Sequence, residues 1–129
     1  MAKAVTIEQL AAEITQAIAD YTDDVVQAIE VEVEATANAV LEDIKANAPK
    51  RTGEYAKGWS RRKSKSSHQV THIIHNTKRP QLAHLLEHGH AKKGGGRVEG
   101  RPHIRPAVDR HIPAMEQRIK QIIERGGAV

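Results

Sequence analysis

Two histidines and a glutamate stand within five residues, in His84-Leu85-Leu86-Glu87-His88. This is the inverted zinc-peptidase pattern H-x-x-E-H. On a helix, positions i and i+4 share a face, so the two imidazoles could grip one zinc ion while Glu87 activates water, with His90 as a further donor. A hydrolytic zinc site also needs a ligand from a second element and a cleft that excludes water. The segment here is leucine-rich and about two helical turns long, and it runs straight into glycines. Eight histidines in 129 residues make such a spacing common by chance. The pattern is therefore read as structural, and no catalytic residue, metal ligand or cofactor is assigned.

A second group could bind rather than react. Arg51, Lys57, Arg61, Arg62, Lys63 and Lys65 crowd around Tyr55 and Trp59. Cations interleaved with aromatics can hold phosphates and stack on bases. The same residues would equally suit a solvated face or an acidic protein partner. Arg61, Arg62, Lys63 and Lys65 are thus candidates for contact with DNA or with an acidic partner. Further on, Lys92-Lys93-Gly94-Gly95-Gly96-Arg97 and Arg101 form a basic, glycine-rich stretch. It lacks the G-x-x-x-x-G-K-[ST] order of a phosphate-binding loop.

The elements that must carry these residues differ sharply in charge. Residues 1–48 hold ten acidic residues against Lys3 and Lys45, a net of −8, so the remainder carries +12 to give the overall +4. Such polarity points to a nucleic-acid partner or to contact between unlike halves. The sequence has no cysteine, no phenylalanine, and only Trp59, Tyr21 and Tyr55 as aromatics. Disulfide and thiol chemistry are excluded, and the core is expected to consist of Ala, Val, Ile and Leu on packed helices. No apolar run is long enough for a membrane span, and no signal-peptide pattern opens the chain.

Apolar residues recur at helical spacing through Ile7, Leu10, Ile14, Ile18, Tyr21, Val25, Ile29, Val33, Ala37, Val40 and Ile44. Thr6 and Gln9 predict a capping box, and Pro49 ends the helix at Ala48. Some forty residues would span about 60 Å, more than the remainder can cover. Either the helix breaks at the acidic patch of residues 20–24 and folds back as a hairpin, or its stripe needs another chain.

Beyond it, Thr52-Gly53 marks a turn, and residues 70–75 read as a strand. That strand pairs with the basic stretch across a polar turn at 64–67, Trp59 being a core anchor. Residues 81–88 form a short helix closed by Gly89. Residues 91–101 are predicted to be a flexible exposed loop, and a last helix starts near Pro106. Pro113 should kink or restart that helix, which Gly126-Gly127 ends. The fold class is α+β, with a long N-terminal helix (1–48) as assembly element and a small α+β domain (49–129).

Two segments carry a family resemblance. Residues 48–59, with Ala48-Pro49-Lys50-Arg51-Thr52-Gly53, and residues 81–92, with Leu85-Leu86-Glu87-His88-Gly89-His90, are followed by Gly94-Gly95-Gly96-Arg97-Val98 and Arg101-Pro102-His103-Ile104-Arg105-Pro106-Ala107. In this order, over roughly residues 48–110, the chain resembles the head–tail joining proteins of long-tailed phages, the minor tail or tail-completion proteins of the neck. The resemblance implies a non-enzymatic virion protein that assembles as a ring between head and tail, without fixing the ring's size or neighbours. The expectation is a six-fold ring in preference to a twelve-fold one, with head-completion and tail-terminator rings adjacent and DNA passing through the lumen without sequence specificity. Interface residues expected on this reading, from the stripe and the basic loop, are Ile7, Leu10, Ile14, Ile18, Val25, Lys92, Lys93, Arg97 and Arg101.

Overall fold

The computed structural model describes residues 6–51, 53–66 and 69–127. Thr52 of the predicted turn, and Ser67 of the 64–67 turn, lie outside them. Helix α1 runs from Ile7 to Asn47 without interruption. Its first turn is closed by the predicted capping box: Gln9 N donates to Thr6 Oγ1 at 3.2 Å and Thr6 N to Gln9 Oε1 at 3.0 Å. The expected break at residues 20–24 does not occur. Residues 7–47 contain neither Gly nor Pro, and an aspartate on an exposed helix face costs only tenths of a kcal/mol in propensity. At Ala48 the backbone turns extended, with ψ 143°, as the following proline requires.

A short helix α2 (Glu54–Lys57) leads into the antiparallel pair β1 (Trp59–Lys65) and β2 (Val70–Asn76), in register from Trp59↔Asn76 to Lys65↔Val70. Helix α3 spans Pro80–His88 and ends on Gly89 at φ +79°. The stretch predicted as a loop is instead a short ribbon. Strand β3 (Gly89–Ala91) pairs with β4 (Arg97–Glu99), and Lys92 N donates to Gly96 O across the tip at 2.9 Å. Three successive glycines at positive φ, Gly94 to Gly96, let the chain reverse there. Helix α4 (Arg105–Glu124) continues through Pro113 rather than restarting. Pro113 is exposed, where the carbonyl it leaves unpaired can take water.

Helix α4 lies antiparallel against the second half of α1. Arg110 and His111 bind Asp43, Arg118 binds Glu32, and Tyr21 Oη donates to Ile123 O at 2.8 Å. The core gathers at the C-terminal end of α1, from Val40, Leu41, Ile44, Ala48, Tyr55, Ala56, Trp59 and Ala107. Aliphatic residues dominate it; Trp59 is the anchor expected from the sequence, and Tyr55 joins it beyond the aliphatic core that composition predicts. Tyr55, Trp59 and the wholly buried His103 meet edge to face. Among the described residues, no helix is long and apolar enough to cross a membrane.

The Asp43 contact is the main polar tie between the two long helices. Arg110 Nε donates to Oδ2 at 2.8 Å, His111 Nε2 to Oδ2 at 2.9 Å, and Asn47 Nδ2 to Oδ1 at 2.8 Å. The Arg110 hydrogen bonds, opposed by burial and helped by His111 and Asn47, hold the Asp43 carboxyl from its ordinary 3.8 down to about 2. A carboxyl lowered by folding stabilises above its unfolded pKa and ceases to do so as pH falls through the folded one. Asp43 thus contributes fully above about pH 4 and loses its effect toward pH 2. Because Arg110 is half-exposed, solvent screens the pair and the contribution is at most about 1 kcal/mol. Asp43→Asn should lower the melting temperature at neutral pH by several degrees, and the gap should narrow steadily in melts taken from about pH 4 down toward about pH 2. A gap of constant size at every pH would refute the assignment.

Candidate assembly surface

The H-x-x-E-H residues lie together on α3 but do not form one site. His84 and His88 are exposed, with ring centroids 5.0 Å apart. Glu87 is 6% exposed and turns to the next segment of the chain. Its Oε1 accepts from His103 N at 2.8 Å and Ile104 N at 2.9 Å, and its Oε2 from Arg105 N at 2.9 Å. These are the free N–H groups at the start of α4, whose own N-cap residue, Ile104, offers no side-chain acceptor. Glu87 is therefore the cap of α4, supplied from another helix. His90 sits half-buried on β3. Among the described residues no three His, Asp or Glu side chains gather as a metal would need.

The cap organises its surroundings. Gly89 and Gly100 cross so closely that a Cβ on Gly100 would stand 2.6 Å from Glu87 O and 2.7 Å from Gly89 N. That crossing brings the chain from β4 back over the end of α3, where Arg101 N donates to Leu86 O at 2.7 Å. His103 Nδ1 donates to Arg101 O at 2.8 Å, which fixes its tautomer, and Nε2 accepts from Tyr55 Oη at 2.6 Å. Burial and the nearby Glu87 charge push the Tyr55 hydroxyl up to about 12, so it remains the donor. Burial would raise the Glu87 carboxyl, but hydrogen bonds from the backbone N–H groups of His103, Arg105 and Ile104 outweigh it and hold the group below its ordinary 4.5. At the end of β2, Asn76 plays a similar part: its Nδ2 donates to Tyr55 O at 2.7 Å and its Oδ1 accepts from Arg79 N at 2.8 Å.

The sequence reading missed Glu87, His103 and Asn76 as structural linchpins. One signal for Glu87 was present: no Ser, Thr, Asp or Asn stands just before the α4 start at Arg105.

The predicted interface residues fall into three places. Ile7, Leu10, Ile14 and Ile18 are 84%, 47%, 52% and 61% exposed. They lie on an arm, residues 7–20, that extends beyond the point where α4 ends against Tyr21 and Asp24. Val25 is half-buried. From Thr36 and Ala37 onward the chain's own residues bury the stripe. Lys92, Lys93, Arg97 and Arg101 are exposed on or beside the β3–β4 ribbon, far from the arm in the fold, and Arg97 Nη2 donates to His88 O at 2.7 Å.

Among the strand residues, Arg61 is largely used within the subunit. It reaches Glu34 at 3.5 Å and donates to His72 Nδ1 at 2.8 Å. Alternation puts Lys63 and Lys65 on the same face as Arg61 and turns exposed Arg62 to the other. Part of the charge polarity is thus neutralised inside one chain, through Arg61–Glu34, Arg110–Asp43 and Arg118–Glu32.

The geometry thus comprises an exposed apolar arm, a basic ribbon and an H-x-x-E-H motif whose glutamate caps a helix. A family profile for "Bacteriophage HK97-gp10, putative tail-component" matches residues 12–89, and the chain belongs to this HK97-gp10-like family. The match takes in most of α1, outside the motif-bearing span 48–110, and stops at Gly89, before the ribbon tip and the Arg101–Ala107 motif. Membership gives the chain a structural, tail-related role and a place in the virion. No curated protein and no solved structure matches the chain.

Proposed function

We propose that the chain joins head to tail as a ring-forming neck or tail-completion component. The observation carrying this reading is the arm at residues 7–20, whose four large aliphatic side chains stay exposed while the chain's own residues bury the stripe from Ala37 onward. Leaving several such side chains in water forgoes roughly 1.5–3 kcal/mol each, which burial against neighbouring subunits would recover. Strong charge differences along one subunit suit heterologous contacts, which close into rings, and they set register more than affinity. The adjoining rings would be those of head completion and tail termination, with DNA crossing the lumen. Mass measurement of intact particles should find this chain in a small multiple of six copies, lost with the neck when heads and tails are separated. One or two copies per particle would rule out the ring.

DNA binding is the other reading, favoured by exposed Arg62, Lys63, Lys65 and the ribbon cations. Arg61 speaks against it, being held by Glu34 and His72. Purified chain should bind duplex DNA weakly, and binding should vanish near physiological salt, as purely electrostatic contacts do. A titration showing tight binding at that salt would favour a DNA-binding accessory role instead.

A further inference from the structure

We infer that the arm of one copy docks on a second copy of this chain, in the apolar groove between β2, α3 and the start of α4, next to the basic β3–β4 ribbon. This deepens the ring reading by naming both sides of the contact. The groove has a volume of about 750 Å³, and its walls include Val40, Trp59, Ile74, Ala83, Ile104 and Val108. It offers room for several aliphatic side chains, and the arm presents Ile7, Leu10, Ile14 and Ile18 on one stripe.

Charge supports this pairing over the alternatives. The exposed arm and the turn after it carry Glu8, Glu13, Asp20, Asp23 and Asp24, and residues 6–24 contain no Lys or Arg. The ribbon springs from the end of α3 and returns to the start of α4, so it belongs to the same end of the fold as the groove. It carries Lys92, Lys93, Arg97 and Arg101 against Glu99 alone. Two arms paired with each other would oppose acidic faces, whereas the ribbon supplies the opposite sign.

Geometry decides that the contact is between copies. Ile44, under the groove, is thirty residues from Ile14 along one unbroken helix, about 45 Å away. An arm therefore cannot reach its own groove. Two unlike patches at opposite ends of a rigid helix make a head-to-tail contact, in which each copy both gives and receives.

The full chain has no cysteine, so introduced thiols report without background. Ile14→Cys and Ala83→Cys chains, each folded by circular dichroism, should cross-link under mild oxidation only when mixed, and the double variant should give a ladder of multimers. Glu8→Lys, Glu13→Lys and Asp20→Lys together should weaken self-association at least tenfold by sedimentation, and Lys92→Glu, Lys93→Glu and Arg97→Glu on the receiving copy should restore it. Cross-linking of Ile14→Cys with itself would overturn the proposal in favour of paired arms. Multimers that form without the 14–83 cross-link would overturn the docking site while leaving the ring intact. A chain that stays monomeric at high concentration, with no cross-link, would overturn the docking outright, and the particle copy number would then judge the ring.

Discussion

Phage carrying Ile14→Asp and Ile18→Asp together are expected to release filled heads and separate tails, while the purified chain melts as the unsubstituted chain does. Both side chains are more than half exposed and lie beyond the reach of α4. Aspartate at an exposed helix position costs about 0.5 kcal/mol in propensity. The arm would fray before the distant core around Ile44 and Trp59 responded. At an interface the arithmetic reverses. Two carboxylates placed where aliphatic groups should enter a partner's apolar surface cost several kcal/mol each, unless they are paired. Thermal melting of the purified variant separates the two effects from particle yield. Normal particles would show that the arm is dispensable for assembly. A chain whose melting collapses with the arm would show that residues 7–20 belong to the subunit's own core.

Glu87→Ala should be among the most damaging single changes in the chain, although a motif reading would place that residue in a metal site. The substitution strands three backbone N–H groups at the start of α4 and leaves His103 buried without its carboxylate neighbour. A buried N–H left without its acceptor costs about 1–3 kcal/mol, and three are stranded here. That is a large share of the 5–15 kcal/mol typical of a whole domain. A fall of about 10 °C or more in melting temperature is expected, with Glu87→Gln between the two because the amide keeps one acceptor. His84→Ala and His88→Ala, on the exposed face, should each stay within about 0.5 kcal/mol of the parent. Since folding lowers the Glu87 carboxyl, its contribution is present above its ordinary 4.5 and is lost as pH falls further. If His84→Ala destabilised as much as Glu87→Ala, with zinc restoring only the parent, the motif would be a metal site after all.

Local structure was legible in the residues because its causes lie within a few positions. The stripe from Ile7 to Ile44 repeats at helical spacing, Thr6 and Gln9 cap it, and Pro49 stops it. Gly89 closes α3, and Gly126-Gly127 closes α4 through Gly127 N donating to Ile122 O at 2.9 Å. That the basic stretch pairs with residues 70–75 was legible too, but the turn expected at 64–67 falls two residues early, since β1 runs to Lys65 and pairs it with Val70. The acidic patch at residues 20–24 misled because charge resembles a turn signal, but it cannot bend a helix that has neither glycine nor proline. The 91–101 stretch misled because glycines that suggest mobility also supply the positive φ angles of a tight ribbon tip.

What a residue meets across the fold was decided only by the tertiary structure. The spacing of His84, Glu87 and His88 is the same whether Glu87 faces a metal or the free N–H groups of another helix; the crossing of Gly89 and Gly100 selects the second. The opposite charges of the two halves are as consistent with DNA as with pairing inside one chain. Arg110 meets Asp43 and Arg118 meets Glu32 only because α4 returns antiparallel along α1. The stripe on α1 looks uniform from end to end, and α4 covers it only as far as Tyr21. Helical periodicity records which face of a helix is apolar. Where the covering elements end depends on their lengths and directions, and that leaves residues 7–20 exposed, Val25, Ile29 and Val33 partly covered, and Ala37, Val40 and Ile44 buried in the subunit's own core.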